Sequence, residues 1–212
     1  MKTADLIETL AGQDAPIRPG RIGPRLTTAV LVGAAIAAII LMIWLGLRPL
    51  AAAIQDRMFW MKAGYSLWLA LAGGLWAARM ARPGGLPGSA PLIAGAAVIA
   101  MFAMGAMDLA RTASPELMGE WLGSTWTVCP WRILALAAPV YLAVAWMMRR
   151  LAPTRLGWTG AAAGLLAGGV GAVVYGFYCQ ENTAAFVATW YTLGIAVCAV
   201  VGGLVGPRLL RW

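Results

Sequence analysis

Apolar residues run through this chain in six long stretches, at about 26–47, 59–79, 90–110, 131–148, 157–177 and 184–205, with short polar gaps between them. Each stretch has the roughly 17 to 25 residues that a helix needs to cross a bilayer. The pattern predicts an all-α fold, a polytopic membrane protein built as a six-transmembrane-helix bundle. The bundle forms one domain over 26–212, and residues 1–25 form an arm before it. That arm has no apolar run of the kind a secretory signal carries, and it opens with Lys2, Asp5 and Glu8. The first apolar run is too long to be such a signal, so all six spans are expected to be retained.

Composition agrees with the pattern. Hydrophobic residues make up 61% of the 212 and charged residues 11%, with a mean hydropathy of +0.77. A typical globular chain has about 45 to 50% and about 25%. The formal charge of +8 is unevenly placed. Lys2, Arg18, Arg21, Arg25, Arg79, Arg82, Arg149, Arg150, Arg155, Arg208 and Arg211 fall on one side of the predicted spans, and only Arg48, Arg57, Lys62, Arg111 and Arg132 on the other. Positive residues resist translocation, which predicts an N-in/C-in, multi-pass protein with both termini cytoplasmic. Attraction to anionic lipid explains the basic character, and no direct nucleic-acid contact is expected.

With that orientation two of the three cysteines face outward. Cys129 lies in "STWTVCPWR" before the fourth span and Cys179 in "GFYCQENTAAF" before the sixth. Outside a bacterial inner membrane thiols meet an oxidising compartment, where a pair can act as a staple, a redox sensor or part of a soft metal site. Cys129 and Cys179 are therefore the candidate sensor residues and the candidate metal ligands. Lys62 in "FWMKAGY" and Asp108 in "GAMDLAR" lie near the outer ends of antiparallel spans, at a depth that would let them pair, and Arg132 and Glu181 share that level. Snorkelling and structural pairing account for such charges. A cation beside a thiol also lowers its pKa, and the sequence leaves both roles open.

Small residues mark the packing faces. Gly194, Cys198, Gly202 and Gly206 recur every four residues in the sixth span, and Gly160, Gly164, Gly168, Ala172 and Gly176 form a stripe along the fifth. This spacing lets helix backbones approach, so Cys198 reads as a packing residue. Whether the partner is the neighbouring span or a second copy in a homodimer stays open. Met101, Met104 and Met107 read as adaptable core filler rather than a metal ladder.

In the arm, Thr3 can cap a short helix on which Leu6, Ile7 and Leu10 share one face, and Pro16, Pro19, Gly20, Gly23 and Pro24 make a linker. So short a helix is not stable alone. Its apolar face needs the membrane interface, another part of this chain, or a cytoplasmic protein that takes the helix in a groove; Asp5, Glu8 and Asp14 disfavour an anionic membrane surface and favour a protein partner.

"MKTADLIETLA", "FWMKAGY", the cysteine at 129 and the tail "CQENTAAFVATWYTLGIAVCAVVGGLVGPRLLRW" from Cys179 to Trp212 together resemble the NrsF-type anti-sigma factors. The resemblance covers nearly the whole chain. It implies a regulator rather than an enzyme, without a cofactor. Such a regulator sequesters an extracytoplasmic-function sigma factor of the sigma F type through the arm, with Asp5, Leu6, Ile7 and Leu10 at the contact. It releases that partner when Cys129 and Cys179 sense metal or oxidative stress. Two rival classes fit the residues less well. A membrane thiol oxidoreductase would use paired thiols such as Cys-x-x-Cys, which do not occur. A small proton-coupled transporter would need an ionisable residue at the membrane midplane.

Overall fold

The computed structural model describes residues 22–211, and every regular element among them is helical. In chain order the helices are α1 (Ile22–Trp44), α2 (Leu50–Ala53), α3 (Arg57–Met80), α4 (Ala90–Arg111), α5 (Leu117–Leu122), α6 (Cys129–Arg149), α7 (Leu156–Gly176) and α8 (Ala184–Leu209). The arm, with Asp5, Leu6, Ile7 and Leu10, lies outside the described residues.

Five of the described helices, α1, α4, α6, α7 and α8, are long and apolar enough to cross a membrane. The remaining expected span is also a helix, the 24-residue α3, but it is not among the five. Lys62, Tyr65 and Ser66 lower its hydropathy, yet all three side chains are buried inside the bundle. On the opposite face of α3 Leu67, Trp68, Leu71 and Leu75 are exposed, and Ile43 of α1, Ile99 of α4 and Trp146 of α6 also lie on the outside. So large an exposed apolar surface is foreign to a water-soluble monomer.

At the centre stands α7, which packs against α8, α3, α6 and α1. In its most apolar window 61% of residues are buried, against 17% in α1 and in α4, which makes α7 the hub and those two peripheral. Small residues allow this on three sides. A Cβ on Gly164 would run into the Cys198 carbonyl oxygen of α8; one on Gly169 would lie 2.6 Å from the Ala70 amide nitrogen of α3; one on Gly171 would lie 2.8 Å from that of Ala137 on α6. The stripe predicted for the fifth span therefore joins α7 to α8 within one chain, with Cys198 buried in the seam. Gly176 is the exception, because its Cβ would meet nothing within 4 Å.

Hydrogen bonds link the segment after α1, the first turns of α3 and the last turn of α4 to the loop between α7 and α8, and that loop to the one before α6. Both outward-predicted cysteines lie at this end, hereafter the thiol end.

Candidate functional site

Cys129 is the first residue of α6, where its amide donates to the Thr125 carbonyl at 2.9 Å. Pro130 follows, in the first turn, where a missing N–H costs nothing. Cys179 lies just beyond α7, its amide held by the Tyr175 carbonyl at 3.0 Å. Both thiols are free, and the two residues are 0% and 1% exposed, so no reagent reaches either sulfur without some opening of the fold. Tyr175 from α7 and Tyr191 from α8 lie beside both thiols, fully buried, with ring centroids 5.8 Å apart. Tyr191 closes a π-helical turn, Val187–Tyr191, within α8; such turns occur frequently at functional sites.

The loop that carries Cys179 is clamped by cations. Lys62, 1% exposed, reaches in from α3 and donates to the carbonyls of Cys179 at 3.1 Å and Glu181 at 2.6 Å. The Arg48 guanidinium donates to the same Cys179 carbonyl at 3.3 Å, and the Arg48 amide donates to the Phe177 carbonyl at 3.1 Å. These carbonyls follow the C-terminus of α7, the end of a helix that favours positive charge.

The Glu181 carboxylate faces the other way. Its Oε1 accepts from the amide of Ser124 at 2.9 Å, the Ser124 hydroxyl at 2.7 Å, and the amide and hydroxyl of Thr125, both at 3.0 Å. Thr125 in turn holds the Cys129 amide. Glu181 thus ties the segment before Cys129 to the segment after Cys179, and charge-assisted bonds of this kind are the strong ones. Gly123 sits at φ +60°, and a Cβ there would stand 2.5 Å from the Glu181 carboxylate, so the turn that brings the donors in requires glycine.

The charges that share this level do not meet one another. Lys62 and Asp108 do not pair. Asp108 Oδ2 instead accepts from the Ala184 amide at 3.0 Å, the first residue of α8, while Thr183 caps the same helix by accepting from the Phe186 amide at 3.3 Å. Opposite charges have gone to opposite helix ends, the ammonium to the C-terminus of α7 and the carboxylate to the N-terminus of α8. Nor does Arg132 meet Glu181: its guanidinium lies over the Tyr178 ring, 5.1 Å from the centroid. Among the described residues, no group of three or more His, Cys, Asp or Glu is placed to hold a metal ion. A metal at the thiols would have Cys129 and Cys179 as its ligands of those types, a pair suited to a soft cation.

Comparison with known proteins gives this arrangement a family. A family model described as "Negative regulator of sigma F", NrsF, matches residues 10–212. The chain belongs to the NrsF family. Two curated NrsF proteins align with it end to end. The "Probable anti-sigma-F factor NrsF" of Azospira oryzae is 41% identical over 214 residues, and the "Anti-sigma-F factor NrsF" of Caulobacter vibrioides is 40% identical over 219, each covering 100% of both chains. No solved structure matches.

Several residues of the site in this NrsF-family chain had no distinguishing mark in the sequence. Ser124, Thr125 and Arg48 are ordinary loop residues until Glu181 and Cys179 are placed beside them. Tyr175 carried a usable signal, since it lies four residues before Cys179 and so one helical turn below it.

Proposed function

We propose that this chain is an anti-sigma factor of the bacterial inner membrane. In this reading α3 crosses the membrane with the five more apolar helices, giving six spans with both termini in the cytoplasm. The arm, through Asp5, Leu6, Ile7 and Leu10, holds an extracytoplasmic-function sigma factor of the sigma F type at the cytoplasmic face. Cys129 and Cys179 face the periplasm and trigger release under metal or oxidative stress. The anti-sigma role is supported by the family and by the names of two full-length relatives. A regulator of this class works by binding and release.

One observation carries the sensing half: Glu181 joins the two cysteine-bearing segments through four hydrogen bonds on a single oxygen. A bond or metal formed at the sulfurs has to shift segments that are already held in one register. Cys129 begins α6 and Cys179 follows α7, so any shift starts at helix ends. Helices joined by close glycine contacts move as packed bodies rather than bending one at a time. The signal acts only as far as it favours one bundle arrangement over another with different affinity for the sigma factor.

The test is a sigma-F-dependent reporter in cells carrying Cys129→Ser, Cys179→Ser or both. The expected result is normal repression without stress and loss of induction under metal or oxidant. A response that survives the double substitution removes the sensor role. Leu6→Asp with Leu10→Asp tests the arm separately: repression is lost while the amount of protein in the membrane stays the same.

A further inference from the structure

Away from the two cysteines, four methionines line one cleft. Met58 and Met61 lie three residues apart on α3, and Met104 and Met107 three apart on α4; residues at that spacing share a helix face. The two helices pack together, and both pairs line the same cavity of 590 Å³ at the thiol end. Met104 is 45% exposed and Met107 54%, so these side chains are not closed inside the bundle as the two cysteines are. The filler role expected for the methionine row of α4 holds only for Met101, which is 3% exposed and does not line this cavity.

The rest of the lining decides what could bind. Asp56, Arg57, Asp108 and Arg111 bring two carboxylates and two guanidiniums, whose formal charges cancel. The carboxylates already have partners. Asp56 Oδ1 accepts from the Met58 amide at 2.9 Å, Asp56 Oδ2 stands 3.8 Å from Arg48, and Asn182, with its amide turned to donate, reaches that oxygen at 3.0 Å. Asp108 holds the Ala184 amide. A hard divalent cation needs several free oxygen ligands, and few are on offer. Neutral thioether sulfur suits a soft cation, Cu(I) foremost.

We infer that the thiol-end cleft between α3 and α4 is a site for a soft monovalent cation, Cu(I) or Ag(I), bound by Met58, Met61, Met104 and Met107. It is separate from the cysteine pair and stands whether or not those cysteines sense anything. It also touches the same loop from the opposite side. Asp56 and Asp108, at the two edges of the cleft, hold Asn182 and Ala184, the residues that follow Glu181. An ion that draws α3 and α4 together bears on that segment.

The experiment is a silver titration of the purified full-length chain in detergent, with Cys129→Ser, Cys179→Ser and Cys198→Ser removing all thiol ligands. Bound metal is counted by mass spectrometry after desalting. The thiol-free chain is expected to retain Ag(I). Met104→Leu with Met107→Leu, or Met58→Leu with Met61→Leu, should weaken retention by more than about tenfold, the lower end of what changes around metal ligands cost. Leucine preserves volume, and thermal unfolding checks each fold. Met118→Leu, on α5 and outside the cleft, should change nothing. The proposal is overturned if the thiol-free chain takes up no silver, if both leucine pairs bind it as tightly as their parent, or if the cleft holds a co-purified lipid chain and no metal. Should the triple serine variant fail to fold, the wild-type chain and the leucine pairs are compared directly for Cu(I) stoichiometry against a chelator, where equal stoichiometry is the refuting result.

Discussion

Three free cysteines are buried in this chain, in two unlike settings. Cys198 sits in the seam between α7 and α8, where the opposing surface is glycine backbone: a Cβ on Gly168 would lie 2.9 Å from the Cys198 Cβ. Shape alone holds that seam. Cys129 and Cys179 sit instead among directional bonds, with Lys62 and Arg48 on the Cys179 loop and Glu181 across to Thr125. A seam held by shape fails when volume is added, whereas a clamp held by bonds fails when a donor or a charge is removed. Burial is therefore not what separates the two settings. The difference lies in whether a small chemical change nearby can release the surrounding chain.

Four substitutions test that contrast, the largest effect first. Gly164→Leu drives a side chain into the Cys198 carbonyl and should cost about 3 kcal/mol, the upper end for an overpacked core. Fluorescence-detected gel filtration in detergent should show a marked loss of folded protein; a normal profile would mean the seam is looser than its geometry. Lys62→Met removes one donor from the Glu181 carbonyl and leaves the Cys179 carbonyl with Arg48 alone, for roughly 1–3 kcal/mol. Maleimide labelling of Cys179 should quicken while Cys198 stays protected. If Cys179 remains closed, the ammonium is not what holds its loop. Glu181→Gln keeps the shape and loses the charge, for about 1 kcal/mol, and should produce a smaller rise in labelling, seen at Cys129 as well as Cys179. Cys198→Ala should cost less than about 1 kcal/mol and leave any stress response unaltered. A response lost with Cys198 would erase the distinction between the two settings.

Much of the architecture was legible from the apolar runs, because helix length in a bilayer is fixed by thickness and shows directly as run length. The Gly164–Cys198 seam was legible for a similar reason: a four-residue spacing of small residues defines one face of one helix. Only the choice of partner needed the structure. The charges were harder. Depth along the spans put Lys62 level with Asp108, but depth is one coordinate, and the lateral position of the α7 and α8 ends decided that each charge meets backbone instead of the other. The grip on Glu181 was invisible because Ser124 and Thr125 lie 57 and 56 residues away in the chain and belong to a loop of generic composition. The methionines fell between these cases. Their row on α4 was evident, but that it faces a second row on α3 depends on which way two helices are turned about their axes.

The order in which the chain is made gives Lys62 a further consequence. Its acceptors are 117 and 119 residues further on. Ribosomes supply residues at about 5–20 per second, so the ammonium of α3 waits several seconds before the carbonyls that will receive it exist. During that interval the amino-terminal helices lack α7 as well, the hub against which they pack. A nascent chain, or one cut short before Cys179, therefore lacks both acceptors that Lys62 has in the finished fold.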